Sequence, residues 1–224
     1  MKVLVVAATE AEIAPLLEGL RFQWNINKRL RKYLYKSTNV DVLITGAGMV
    51  STSYWMGKTL ADNLYNYAFN FGICGSFYRD LELGQLVNVS QDLFSELGAE
   101  SGEEFLDAQA IDLEVGHPLE QGVLINNSQW SKGVIDDLPK VKGITVNTVH
   151  GSDESIATVV KRVNPTVESM EGAAFMYSCI SAELDFLQIR AISNYVERRN
   201  KSGWNVPLAI ENLNKTALEL IDAL

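Results

Sequence analysis

Two pairs of carboxylates stand where helices are predicted to begin. Glu10 and Glu12 fall in the first turn of a predicted helix, where the helix dipole favours negative charge. Glu168 and Glu171 flank Met170 at the start of another predicted helix, and a carboxylate placed there can accept two hydrogen bonds from a diol. Each pair alone is equally typical of ordinary helix-start or capping chemistry. The carboxylates therefore indicate a site only in combination with other motifs.

Three further motifs follow predicted strands. Gly46-Ala47-Gly48 lacks the third glycine of the dinucleotide fingerprint, so it predicts either a turn close to a ligand or an ordinary strand-to-helix turn. Gly72-Ile73-Cys74-Gly75-Ser76 would let a flat ligand approach the backbone. Arg190-Ala191-Ile192-Ser193-Asn194 ends an apolar strand with a polar pair, which favours a site residue there. Arg190 itself favours a structural ion pair over a substrate contact.

The elements that must position these motifs alternate between strand and helix. Hydrophobic periodicity predicts one or two strands within 22–36, strands over 2–8, 40–45, 68–74, 86–90, 122–126, 144–149, 166–167 and 186–192, and helices over 10–20, 49–64, 153–163, 170–183 and 207–224. This alternation predicts one α/β domain over 1–224, with three layers and a mixed, largely parallel central sheet flanked by helices. Ligands of such sheets bind at the carboxyl ends of the strands, where the motifs fall.

Composition narrows the class of partner. The net charge of −9 over 224 residues disfavours a nucleic-acid partner. The apolar N-terminus is too short for a signal peptide and no window is apolar enough to span a bilayer, so we expect a cytoplasmic protein without a membrane partner. Two histidines predict no metal site, no cofactor is indicated, and Cys74 and Cys179 are expected to be buried free thiols. The acidic stretch 92–114 predicts a solvated loop or helix face.

In their order along the chain, these motifs resemble the nucleosidases that cleave methylthioadenosine and S-adenosylhomocysteine, within the purine nucleoside phosphorylase superfamily. The resemblance runs from end to end, is strongest at 8–12, 70–72, 170–174 and 190–194, and is poor at about 92–141. It implies a nucleoside phosphorylase-like fold and a small purine riboside as substrate. It also implies a homodimer or higher homo-oligomer, in which we expect segment 92–114 of a neighbouring chain to close the pocket.

The resemblance also implies roles for individual residues. Glu12 matches the carboxylate that activates the attacking water, Glu171 the ligand of the ribose hydroxyls, and Met170 the apolar contact beside the sugar. Asn194 matches the position that faces the purine N7. The purine base and the 5′ substituent of the ribose are expected to contact a second group of residues, namely Cys74, Gly75, Val149 with the rest of 149–151, Ser193 and Trp204.

The first strand end favours water over phosphate as the nucleophile. Cleavage of an N-ribosidic bond passes through an oxocarbenium-like sugar, so a carboxylate base and a nearby negative charge both help. A phosphorylase of this superfamily would need an anion site with Gly and Arg near the first strand end. The chain instead has carboxylates at Glu10 and Glu12, and its first arginine is Arg21. Two carboxylates would repel phosphate.

Position 194 predicts the base. The adenine-specific nucleosidases have Asp there, which can donate a proton, whereas the Asn194 amide cannot act as an acid near neutral pH. Its carbonyl can accept from a protonated N7 and its NH₂ group can donate to a 6-oxo group. A 6-amino group would face that NH₂ donor to donor, at a cost of about 1–3 kcal/mol. Asn194 therefore predicts hypoxanthine or guanine, and the source of the N7 proton is left open.

The segment 167–175, with Ser169 between Glu168 and Met170, and the segment 192–197 resemble the futalosine hydrolases of menaquinone biosynthesis. This implies release of hypoxanthine and dehypoxanthine futalosine from futalosine. Arg198, Arg199 and Trp204 could meet the aromatic carboxylate of that substrate, or form a solvated turn with a core tryptophan. The alternatives are a methylthioadenosine/S-adenosylhomocysteine nucleosidase, a 6-oxopurine nucleoside phosphorylase, and a catalytically silent nucleoside-binding protein.

Overall fold

The computed structural model describes residues 1–113, 116–128 and 133–224. Helices and strands alternate through the described chain, as predicted. The strands are β1 Lys2–Ala7, β2 Arg21–Asn25, β3 Leu30–Tyr35, β4 Thr38–Ile44, β5 Tyr67–Ser76, β6 Leu86–Asp92, β7 Gly98–Ser101, β8 Glu104–Asp107, β9 Leu124–Ile125, β10 Lys140–Thr145, β11 Val167–Ser169 and β12 Phe186–Tyr195. The helices are α1 Glu10–Gly19, α2 Met49–Asp62, α3 Asp153–Val163, α4 Gly172–Ser181 and α5 Val206–Asp222, with short 3-10 helices at Gly133–Ile135 and Lys201–Gly203.

The main sheet is mixed and partly closed. Its strand order is β11-β10-β6-β12-β5-β1-β4-β3-β2, with β9 paired to β6, and β11 also pairs with β5. The last pairing joins β5, β12, β6, β10 and β11 in a ring, so part of the sheet is a closed, barrel-like arrangement. The prediction of a mixed α/β domain is confirmed. The sheet is not largely parallel, because its described pairings are parallel and antiparallel in equal number.

The central strand β1 explains why helices lie on both sides. Its side chains alternate in direction and are apolar on both faces. Val3 and Val5 belong to the hydrophobic cluster that contains α1 and α5, whereas Leu4 and Val6 belong to the cluster that contains α2 and α4. A continuous apolar run is therefore buried from both directions.

Among the boundaries that differ from the sequence prediction, three concern the last strand before α3 and the element ends at Glu171 and Asn194. The strand expected at 144–149 is β10, because Lys140–Lys142 pairs with β6 and Gly143–Thr145 with β11 before the chain leaves the sheet. The helix expected from Met170 begins at Gly172, since Glu171 has non-helical dihedral angles at the N-cap. The last strand continues beyond Ile192 to Tyr195. The last two differences place Glu171 and Asn194 at element ends.

Most of the described carboxylates in the acidic stretch 92–114 are exposed, as expected for a solvated segment, but the segment contains strands instead of only a loop or a helix face. Asp92 is buried at the end of β6, and β7 and β8 pair as an antiparallel hairpin. Glu114 lies outside the described residues. Cys74 and Cys179 are free and buried, as predicted. Among the described residues, no helix has the length and apolar character that a membrane span requires.

Candidate active site

A cavity of about 510 Å³ lies at the carboxyl ends of β1, β5, β11 and β12. It also receives the first turn of α1, the segment 149–151, the segment after β12 and one face of α5. Every site residue predicted from the sequence lines it, namely Glu12, Cys74, Gly75, Val149, Met170, Glu171, Ser193, Asn194 and Trp204. Strand ends that are distant in sequence are thus brought together at one place. The structure gives their positions, while their chemical roles are inferred below.

Glu12 is fixed at the pocket wall by the start of α1. Its Oε2 accepts hydrogen bonds from the backbone N–H and the hydroxyl of Thr9, both at 2.9 Å. These contacts belong to a capping box at the helix start. The other oxygen, Oε1, accepts from the backbone N–H of Ile73 at 3.3 Å. A carboxylate oxygen has two lone pairs and Ile73 uses one, so Oε1 can still accept a hydrogen bond from a molecule in the cavity. Glu10 lies outside the cavity and pairs with Arg31.

Glu171 faces the same cavity from the N-cap of α4. Its Oε1 accepts a hydrogen bond from the backbone N–H of Gly48 at 3.0 Å, and the φ of 92° at Gly48 is one that glycine adopts without strain. Burial raises the pKa of Glu171, while the charge of Arg190 and the Gly48 N–H oppose that rise. The sequence did not indicate this use of Gly46-Ala47-Gly48, although the two glycines predicted a turn close to a ligand.

Arg190 is a buried cation behind the two carboxylates. Its Nη1 lies 3.9 Å from Oε2 of Glu171, its Nε donates to Oε1 of Gln188 at 3.1 Å, and its Nη2 donates to Oδ1 of Asn70. A β-carbon on Gly72 would lie 2.3 Å from Nη1 of Arg190 and 3.1 Å from Oε1 of Glu12. Glycine at position 72 therefore leaves the space that the guanidinium occupies. This arrangement agrees with the predicted structural ion pair.

The amide of Asn194 lies at the other end of the pocket. The register between β12 and β5 shifts between Ile192 and Asn194, and such irregularities re-aim side chains near sites. The Ser193 hydroxyl lies 2.8 Å from Oδ1 of Asn194, and Nδ2 of Asn194 donates to the carbonyl of Tyr195 at 3.0 Å. An amide has two lone pairs and two N–H groups, so one of each is left for a ligand.

His150 and Glu168 form a pair in the pocket to which the sequence analysis gave no role. Nδ1 of His150 lies 2.7 Å from Oε2 of Glu168, and the backbone N–H of His150 also donates to this carboxylate, at 3.2 Å to Oε1. Both residues line the cavity, and Glu168 is almost fully buried. The available indications were the position of Glu168 in the motif 167–175 and of His150 within 149–151. Neither showed that the two side chains meet.

The remaining predicted residues form other parts of the cavity wall. Trp204 lies under the guanidinium of Arg199, with 5.2 Å from Cζ to the ring centre, and both line the pocket. Arg198 is not among the described lining residues. Burial raises the pKa of the Cys74 thiol to about 12, so this cysteine is a neutral wall of the pocket near neutral pH. The described residues bring no three His, Cys, Asp or Glu side chains together as a metal site would require.

Comparison with known proteins assigns the chain to a family. The model of the Phosphorylase superfamily matches residues 2–224. A futalosine hydrolase of Thermus thermophilus is 27% identical over 223 residues, covering 97% of this chain and 94% of that protein. A 5′-methylthioadenosine/S-adenosylhomocysteine nucleosidase of Hydrogenovibrio crunogenus is 26% identical over 209 residues, covering 89% of this chain and 88% of that protein.

The fold agrees with this assignment. The structure of a futalosine hydrolase from Helicobacter pylori superposes with a TM-score of 0.82 at 18% identity, covering 100% of this chain and 98% of that one. The resemblance inferred from the sequence motifs is therefore confirmed, as is the prediction of an enzyme of the N-glycosyl hydrolase kind. The chain belongs to the Phosphorylase superfamily.

Proposed function

We propose that the protein is a purine nucleosidase that hydrolyses the N-ribosidic bond of a 6-oxopurine riboside, with futalosine as its substrate. The observation that carries this proposal is the placement of Glu12 and Glu171 together at one end of a pocket whose other end holds Asn194. The sugar is assigned to the carboxylate end and the base to the amide end. The roles of the individual residues follow from this orientation.

Glu12 is assigned the role of general base. Its Oε2 is held by Thr9, which leaves Oε1 directed at the neighbourhood of Gly72 and Ile73. A water bound to Oε1 would lose its proton to the carboxylate as its oxygen bonds to the anomeric carbon. A rigidly held carboxylate suits this role because it does not have to be ordered when the substrate arrives.

Glu171 is assigned to the ribose hydroxyls. One of its oxygens accepts from Gly48 and the other faces Arg190 at 3.9 Å, so the carboxylate is held in place while it remains in contact with the cavity. As the C1′–N9 bond breaks, positive charge develops on the sugar, and a buried carboxylate close by stabilises it. Arg190 offsets the cost of placing two carboxylates in one pocket.

Asn194 is assigned to the base, as the sequence predicted. Its free carbonyl lone pair and its free N–H group match a protonated N7 and a 6-oxo group. A 6-amino group would place two donors face to face, which disfavours adenine by about 1–3 kcal/mol. The expected base is hypoxanthine.

The substituent of futalosine is assigned to Arg199 and Trp204. Their stacked arrangement at the pocket offers a cation and an aromatic face, which suit an aromatic carboxylate. The proposed products are hypoxanthine and dehypoxanthine futalosine, an intermediate of menaquinone biosynthesis. The Thermus thermophilus relative named futalosine hydrolase supports this choice.

One alternative keeps the reaction and changes the substrate. The Hydrogenovibrio crunogenus relative, named for methylthioadenosine and S-adenosylhomocysteine, matches almost as well. Asn194 argues against this alternative.

A 6-oxopurine phosphorylase is disfavoured by the charge of the pocket. The described lining residues include four glutamates, Glu12, Glu168, Glu171 and Glu197, beside one arginine, Arg199, and carboxylates repel phosphate. A silent nucleoside-binding protein is disfavoured by the presence of both Glu12 and Glu171.

The cytoplasmic location and the homo-oligomeric state stay predictions, as does closure of the pocket by segment 92–114 of a neighbouring chain. Leu97 and Leu113 of this segment are exposed, which suits a contact with a second copy. Sedimentation of the purified chain would test the homo-oligomeric state, and a monomer at micromolar concentration would contradict it.

The reaction type is tested by withholding phosphate. The protein is incubated with inosine in phosphate-free buffer and again with added phosphate, and the sugar product is identified. Hydrolysis predicts free ribose in both incubations at similar rates. Ribose 1-phosphate, formed only when phosphate is added, would instead establish a phosphorylase.

A further inference from the structure

The pocket contains two separate polar clusters along β5. Near Gly72 and Ile73 lie Glu12, Glu171 and Arg190. Near Gly75 lies a different set, since a β-carbon placed on Gly75 would be 3.2 Å from Nδ2 of Asn194 and 3.6 Å from Cγ of Glu168. Three residues of a strand span about 10 Å, which is comparable with the length of a purine riboside. With the sugar at the first cluster, the base reaches the second.

The second cluster contains a histidine whose ring is held by a carboxylate. The described contacts of the Glu168 carboxylate all come from His150, through its backbone N–H and its Nδ1. A carboxylate at 2.7 Å fixes a proton on Nδ1 and leaves Nε2 as the ring atom available for chemistry. Among the described residues, no hydrogen bond involves Nε2. The ring of Phe77 packs against the imidazole edge to face, with ring centres 6.1 Å apart.

The base end otherwise lacks an acid suited to neutral pH. Asn194 cannot donate a proton as an acid, and burial raises the pKa of Cys74 to about 12. The Tyr195 hydroxyl donates to the carbonyl of Leu81. The remaining ionisable groups of the described lining are Glu197 and Arg199, on the segment after β12. A histidine is the side chain whose protonation changes near neutral pH.

We propose that His150, oriented by Glu168, donates the proton that the departing purine requires. This inference rests on the proposed hydrolysis. The water oxygen bonds to C1′ while the C1′–N9 bond breaks and its electron pair passes into the purine ring. Glu12 takes a proton from the water, and the proton on Nε2 of His150 passes to a ring nitrogen of the purine. The neutral base leaves, Glu12 releases its proton to solvent, and His150 takes one up.

The test uses a substrate that does not need the acid. The purine of 7-methylinosine already has a positive charge, so it departs without further protonation. Turnover of inosine and of 7-methylinosine is measured without phosphate for the wild type and for His150→Gln. We expect the inosine rate to fall about 10²- to 10⁴-fold, the usual contribution of a general acid, with a much smaller change for 7-methylinosine. Glu168→Gln should show the same selectivity with a smaller loss.

The other histidine of the chain supplies a matched control. His117 lines a different cavity, so His117→Gln should leave both rates unchanged. Equal losses on both substrates in His150→Gln, or no loss on either, would overturn the role of His150 as an acid. A wild type that releases no base from either substrate would instead count against the proposed nucleosidase function.

A second measurement decides the question if the methyl group prevents binding. The alkaline fall in the wild-type inosine rate should be absent in His150→Gln, at its lower rate, because the variant lacks the proposed acid. The same alkaline fall in the variant would overturn the proposal, because the titrating acid would then be another group.

Discussion

Nη1 of Arg190 lies 3.9 Å from Oε2 of Glu171, and both side chains are buried, Glu171 at the wall of the pocket and Arg190 behind it. Burial raises the pKa of Glu171, and the charge of Arg190 opposes that rise. Arg190→Gln removes the opposing charge, so Glu171 would hold its proton to a higher pH. Since the ionised carboxylate is the useful form, the acid limb of kcat/KM should move to higher pH.

Arg190→Lys is the matched control for this prediction. It keeps a positive charge in the same place, so its acid limb should lie closer to that of the wild type. Thermal unfolding of both variants establishes that they fold. An acid limb that stays in place in Arg190→Gln would show that Glu171 does not control it.

Glu12→Gln and Glu171→Gln should each lower turnover of the riboside by about 10²- to 10⁴-fold, as expected for loss of a general base or of transition-state charge stabilisation. Folding should survive, because the amide is nearly isosteric with the carboxylate. The measurement is initial-rate kinetics together with thermal unfolding. Glu10→Gln, in the same helical turn but outside the cavity, is the control and should keep the wild-type rate. Near-wild-type rates in both site variants would remove the basis of the assignment.

Asn194→Asp should shift base preference from 6-oxopurines toward 6-aminopurines. The carboxyl would still accept from Ser193, but it would face the carbonyl of Tyr195 with an oxygen in place of an N–H. The carboxyl has no NH₂ group to oppose a 6-amino group, and its oxygen can accept a hydrogen bond from the amino group of adenine. The ratio of kcat/KM for inosine over adenosine should fall by about 10- to 100-fold. An unchanged ratio would mean that position 194 does not read the base.

Because Asp92 is buried, we expect the free energy of unfolding to depend on pH. The residue is buried and accepts hydrogen bonds from Gln188, Thr145 and the Leu93 N–H. Burial is the main reason that its pKa rises from its ordinary value to about 6. The folded state therefore binds this proton more tightly than the unfolded state. The resulting stabilisation is present at low pH and is lost as pH rises through about 6.

Asp92→Asn removes this titration. Relative to the variant, the wild type should lose about 2 kcal/mol of unfolding free energy between pH 4.5 and 7. Urea unfolding of both proteins from pH 4.5 to 7 measures the difference. A difference that is constant with pH would show that Asp92 is ionised throughout the range.

Much of the fold was predictable because its signals are local. The apolar run of β1 followed by the spacing of Ile13, Leu16 and Leu20 predicts strand then helix without knowledge of the partners. The limits of α3 were likewise predicted closely, and the region 22–36, which was predicted to contain one or two strands, contains β3 and most of β2. Closure of the ring could not be predicted, because it depends on the pairing of β11 with β5, which are far apart in the sequence.

The site was predictable in its membership but not in its contacts. The order of the motifs placed Glu12, Glu171 and Asn194 at strand ends, and the structure brings them to one cavity. The pairing of His150 with Glu168 and the space that Gly72 leaves for Arg190 depend on non-local packing. Composition also did not predict the burial of Asp92. A carboxylate in an acidic stretch can be buried when amide and hydroxyl donors surround it.

The most direct test of the central claim is the identity of the released base. The protein is incubated without phosphate with futalosine, inosine and methylthioadenosine in parallel, and the bases are separated and quantified. The proposal predicts rapid release of hypoxanthine from futalosine, slower release from inosine and little adenine from methylthioadenosine. Adenine released from methylthioadenosine faster than hypoxanthine from futalosine would contradict it.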